Sequence, residues 1–152
     1  MTDEKGQIQK LIELFNENKL DQVINECNII INKKINSPII FNILGVSYFS
    51  KNKYKLSIQN LQKSIKLKPT YKDAYNNLGL VFKKVDKTND AITNFKKALD
   101  LDPKFYEAHL NLGVTLMEEL RINEAEKVFV QATKLTPNEA EVLKYYNNVY
   151  AA

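Results

Sequence analysis

One cysteine, four glycines, one histidine and one arginine stand among 152 residues, and each scarcity excludes something. A lone thiol, Cys27, cannot close an internal disulfide; it reads as a small buried apolar residue in a chain kept under reducing conditions. Glycine this sparse, with no Gly/Ser- or Pro-rich run, leaves no flexible linker between separate units. The single histidine, His109, has no neighbouring His or Cys with which to hold a transition metal, and Cys27 lies too far along the chain to pair with it as a nucleophile. A Gly-rich phosphate loop, a CxxC and an HExxH are all missing. Glu118 and Glu119 are adjacent, but neighbours on a helix diverge by about 100°, so they make a solvated helix end and not a paired acid and base. The expectation is a protein with no catalytic residues, no metal and no cofactor.

Long apolar runs are also lacking. The longest patch, Ile29-Ile30-Ile31, falls far short of the about 20 residues that cross a bilayer. The opening MTDEKGQIQK carries acids where a secretory signal needs an apolar stretch, so a cytoplasmic location is expected, without membrane contact. Net charge is +4, unevenly spread. Residues 38–71 hold six lysines and no acid, whereas residues 106–139 hold six acids against Arg121, Lys127 and Lys134. Lys51, Lys53 and Lys55 fall at a turn, and Lys63, Lys66 and Lys68 fall late on a helix, where cations complement the helix dipole and keep a surface solvated. Nucleic acid is therefore not the expected partner.

What the chain does have is a rhythm. The pairs Leu44-Gly45, Leu78-Gly79 and Leu112-Gly113 recur every 34 residues, and so do Pro69, Pro103 and Pro137. Within the clearest unit, Tyr75, Leu78, Gly79 and Phe82 follow the i, i+3, i+4, i+7 spacing of one helical face. Asp86-Lys87 interrupts it. A second stripe of Ala91, Ile92, Phe95, Ala98 and Leu99 follows, until Pro103 stops the helix. The unit is thus a helical hairpin whose small residues, Gly79, Ala91 and Ala98, permit close packing. Glycine inside a helix costs about 0.5–1 kcal/mol against alanine, so its recurrence marks a tight crossing. The preceding unit keeps the register with Phe41, Leu44, Gly45 and Tyr48, then Ser57, Leu61 and Ser64, and Pro38 opens its first helix with Ser37 as the cap. The following unit has His109, Leu112, Gly113 and Leu116, then Ala125, Phe129 and Ala132.

Tyr75-x-x-Leu78-Gly79-x-x-Phe82, Ala91-x-x-x-Phe95-x-x-Ala98 and Pro103 resemble the tetratricopeptide repeat (TPR) motif, whose period is 34 residues. One signature position departs: Asp86, and Leu120 in the next unit, stand where the turn between the helices usually has glycine. The resemblance implies an all-α fold, a right-handed α-solenoid of stacked antiparallel hairpins. The single domain divides into a degenerate repeat at 4–37, repeats at 38–71, 72–105 and 106–139, and a capping helix or truncated repeat at 140–152, nine helices in all.

Such folds usually serve as scaffolds that bind a peptide or partner protein in a concave groove lined by the first helices. With one stripe of each first helix committed to packing, the opposite stripe should face that groove: Asp73, Asn77, Leu80 and Lys84 with Asn76 alongside; Glu107, Asn111, Val114 and Glu118; Ile39, Ile43, Val46 and Ser50 with Asn42 alongside; Gln9, Ile12 and Asn16; and Tyr145 on the last helix. Asparagine both donates and accepts, so Asn42, Asn76, Asn77 and Asn111 could serve the backbone of an extended peptide. The arrangement is similar to the asparagine ladder of the TPR superhelix of protein O-GlcNAc transferase, with Ile43 interrupting it. The carboxylate clamp of chaperone-binding TPR domains is matched only at Asn77, and Glu107 has the wrong sign for it. Three roles stay open: a scaffold holding an extended peptide or a partner helix, the TPR arm of a larger glycosyltransferase- or sulfotransferase-type enzyme, and a self-associating module that pairs through its C-terminal helix.

Overall fold

The computed structural model describes residues 4–135. These residues form eight helices: α1 (Glu4–Asn16), α2 (Leu20–Asn32), α3 (Pro38–Ser50), α4 (Tyr54–Leu67), α5 (Lys72–Lys84), α6 (Thr88–Leu101), α7 (Tyr106–Glu118) and α8 (Ile122–Leu135). No strand occurs among the described residues. The fold is an all-α solenoid, and the ninth helix expected over 140–152 lies outside the described residues.

Each hairpin is closed by the same turn. Asn18, Asn52, Asp86 and Leu120 take φ near +57 to +59°, and these positions are 34 residues apart. At each one the N–H three residues past the helix reaches back five residues, as in Lys53 to the Tyr48 carbonyl at 2.8 Å and Lys87 to Phe82 at 2.9 Å. A tighter bond accompanies it, as in Asn52 to Phe49 at 2.9 Å. This pair of bonds is the Schellman motif, which satisfies the orphan carbonyls of the helix end. The left-handed residue is usually glycine; asparagine and aspartate tolerate it, while leucine bears the Cβ penalty in full.

The hairpins close on the recurrent glycines. A Cβ at Gly79 would stand 2.5 Å from Phe95 Cε1, and one at Gly113 would stand 2.6 Å from Phe129 Cε1. Phe95 and Phe129 are wholly buried, each filling the space that its glycine leaves. At α3–α4 the partner is Leu61, and Ser57 and Ser64 replace the alanines. Their hydroxyls donate to the carbonyls of Gly45 and Pro38, each at 2.7 Å, so the extra polar atoms are satisfied inside the packing. Ser37 holds the position before α3 in extended backbone, but its hydroxyl makes no cap bond, contrary to the expectation from sequence. Cys27 is buried against Val23, Ile30 and Leu11, and burial pushes its thiol up to about 12. His109 is buried as well, with Nε2 placed 2.9 Å from the Pro103 carbonyl, a distance at which Nε2–H donates.

The stacking order creates an inner and an outer wall. Each second helix packs on its own first helix and on the first helix of the following hairpin: α2 on α3, α4 on α5, α6 on α7. Consecutive first helices also touch, α1 with α3, α3 with α5 and α5 with α7, whereas consecutive second helices make next to no contact. Elements that touch on one side and splay on the other make that first side concave. The groove is therefore lined by α1, α3, α5 and α7.

Candidate groove of the first helices

Along the inner wall the 34-residue period produces an aliphatic row. Ile12, Val46, Leu80 and Val114 come from α1, α3, α5 and α7 in turn. Ile12 is exposed, and the other three are half-buried. Two depressions lie between these helices. Ile12, Phe15, Asn42, Ile43 and Val46 surround one of about 160 Å³. Val46, Phe49, Ser50, Leu61, Asn77, Leu80 and Val81 surround another of about 250 Å³. Leu80 and Val114 both pack on the core formed by Ala91, Phe95, Leu112 and Phe129, which anchors that end of the row.

Beside the row run the asparagines, bonded to one another. Asn77 Nδ2 donates to Asn42 Oδ1 at 3.0 Å, and Asn111 Nδ2 donates to Asn76 Oδ1 at 2.9 Å. Each pair ties one first helix to the next, α3 to α5 and α5 to α7. Nearby, burial and then the charge of Asp73 push the Tyr71 phenol above its usual range, and the polar amide of Asn42 opposes them. Asn76, expected at the groove surface, is instead buried at 6% exposure. Standing one position, or about 100°, from Asn77, it turns toward α7 and spends its carbonyl oxygen on Asn111.

The charged members of the stripe sit at the ends of the helices. Asp73 is half-buried and Glu107 exposed, on the first turns of α5 and α7. Lys72 feels both charges, but its ammonium is bonded to Asp102 Oδ2. At the other end Lys84 is exposed, and Glu118 is paired with Lys83 at 3.0 Å. Tyr145 lies outside the described residues. The sequence reading missed Phe15 and Phe49 as wall residues. Their signal was present, since they are 34 apart and each follows a member of the aliphatic row by three residues, on the same helical face.

A TPR repeat model matches residues 45–86, and a tetratricopeptide repeat model matches residues 85–145. The chain is a tetratricopeptide repeat protein. No curated protein matches its sequence. Among solved structures, this TPR chain is similar to PilF of Pseudomonas aeruginosa, with TM-score 0.89 at 16% identity over 97% of this chain and 67% of that one. It is similar to MamA, with TM-score 0.80 at 23% identity over 90% of this chain and 80% of that one. It is also similar to YrrB, described as a TPR protein with an unusual peptide-binding site, with TM-score 0.76 at 21% identity over 98% of this chain and 77% of that one. At these identities the likeness is one of fold. No cluster of three or more His, Cys, Asp or Glu side chains suited to a metal occurs among the described residues, and none of their helices is long and apolar enough to cross a membrane.

Proposed function

We propose that the chain is a non-enzymatic interaction scaffold that holds a segment of a partner protein, extended or helical, in the groove of α1, α3, α5 and α7. The observation that carries this reading is the aliphatic row Ile12, Val46, Leu80 and Val114. The solenoid has already buried its own core through the opposite face of each first helix, and a partly exposed apolar row along a concave wall is where a partner gains affinity. YrrB, which shares the fold, is described by its peptide-binding site, and that use carries over to this chain as part of the proposal. A chaperone tail ending in a carboxylate is the wrong ligand, since Glu107 stands at the rim where such a clamp needs a cation.

The test is retention of partners by the immobilised intact chain, compared with a Val46→Glu, Leu80→Glu double variant whose helical circular dichroism is checked first. Partners held by the wild type and released by the variant are the expected result. Partners held equally by both would place binding elsewhere on the molecule.

A further inference from the structure

We infer that the ligand segment is an amphipathic α-helix of about six turns, apolar on one face and basic along one edge, and not an extended strand. The inference rests on the groove reading above and narrows it.

An extended ligand brings one N–H and one C=O per residue that need partners once they leave water. The asparagines that could supply them are already spent in part. Asn76 is buried with its oxygen accepting from Asn111, the Asn42 oxygen accepts from Asn77, and Asn77 and Asn111 each have one N–H committed to these bonds. Along the row itself Ile12, Phe15, Ile43, Val46, Phe49 and Leu80 offer no side-chain hydrogen bonds, and Ser50 adds a single hydroxyl at the edge of the second depression. A helix needs none, because its backbone is satisfied internally.

The spacing agrees. Packed helices lie about 8–10 Å apart, so successive members of the aliphatic row are separated by about that distance. Seven residues of an α-helix advance about 10.5 Å. A ligand helix laid across the first helices therefore meets Ile12, Val46, Leu80 and Val114 with apolar residues at i, i+7 and onward. Its intervening i+3 and i+4 residues fall over the two depressions. A cavity of about 150 Å³ accepts a benzene ring, so depressions of about 160 and 250 Å³ accept a leucine or phenylalanine side chain. The charge follows the same axis. At equivalent positions α3, α5 and α7 carry Ile39, Asp73 and Glu107, and Lys72, which feels both acids, is committed to Asp102. The ligand edge over α5 and α7 is accordingly basic, and the part over α1 and α3 is apolar.

The test is selection of a displayed library of random 22-residue peptides on the intact chain, followed by synthesis of the recovered peptides. The expected result is enrichment of apolar residues at i, i+3 or i+4, and i+7 with lysine or arginine on one flank. Helical circular dichroism of the peptide should rise on mixing, and binding should weaken at least tenfold both for Ile12→Glu and for Leu80→Glu. Ile12 is exposed, so its variant keeps the fold even where the Leu80 variant does not. Recovered peptides that contain proline or alternate with period two, and lose binding to both variants, overturn the helix while the groove stands. Peptides that bind both variants as well as the wild type, or a library that yields no binder, overturn the groove reading along with it.

Discussion

The hairpins α3–α4 and α5–α6 share one backbone and differ in nearly every other respect. Gly45 faces Leu61 where Gly79 faces Phe95, and Ser57 and Ser64 stand where Ala91 and Ala98 stand. The first hairpin uses a smaller aliphatic side chain and two hydroxyl-to-carbonyl bonds; the second uses a ring and two methyls. On the groove side Ile43 and Val46 answer to Asn77 and Leu80. The period thus dictates where small and large residues must alternate, but not how the gap is filled or what the open face displays. Groove chemistry can change hairpin by hairpin without disturbing the stack.

The largest effect expected from probing this difference is at the ring. Phe95→Ala should destabilise by about 3–5 kcal/mol, read as a fall in the chemical-denaturation midpoint, while Leu61→Ala falls at or below that range. If both cost the same small amount, the glycine–large-residue contact is not what closes the hairpins. Gly79→Ala comes next, at about 1–3 kcal/mol, because the new methyl meets a ring that is packed on all sides. An unchanged melting temperature would show that the ring has room to move. Leu120→Asn extends the comparison to the last described turn. Asn52 and Asp86 adopt φ near +58° at little cost, whereas Leu120 adopts it against its Cβ, so the substitution should raise stability by roughly 1 kcal/mol. Ser57→Ala should cost about 1 kcal/mol by removing the buried bond to Gly45, whereas Ala91→Ser, if it finds the Gly79 carbonyl, should cost less than an unpaired hydroxyl does.

The smallest effect is electrostatic. Lys72, and then the Lys104 backbone N–H, hold the Asp102 carboxyl below its usual value near 3.8. A carboxyl lowered in the folded state stabilises above its unfolded value, and that contribution is lost as pH falls through the folded value. Melting temperature should therefore drop from pH 5 to pH 3 by slightly more in the wild type than in Asp102→Asn. Equal slopes would mean that the half-buried pair contributes nothing measurable.

The fold was legible because packing imposes period. Leu78-Gly79, Ala91, Phe95 and Ala98 report a hairpin crossing on their own, and Pro103 marks where it ends. The turns were legible only in part: Asp86 and Leu120 read as departures from glycine, and the left-handed backbone they adopt is set by the helix-end hydrogen bonds, which leave no trace in hydrophobicity. The groove was legible as a stripe, not in its bonding. Helical spacing places Asn76 next to Asn77, but a turn of about 100° decides which one meets α7 and which one meets α3. That depends on how neighbouring hairpins rotate against each other, a property of the stack and not of any single repeat.

The two amide pairs bear on more than recognition. Asn42–Asn77 and Asn76–Asn111 link the first helices along the inside of the curve, while the second helices on the outside stand nearly free of one another. Straightening the molecule would stretch those links, and tightening it would compress them. A guest that wedges the inner wall apart works first against these two identifiable bonds, before it strains the packing of each second helix on the next hairpin.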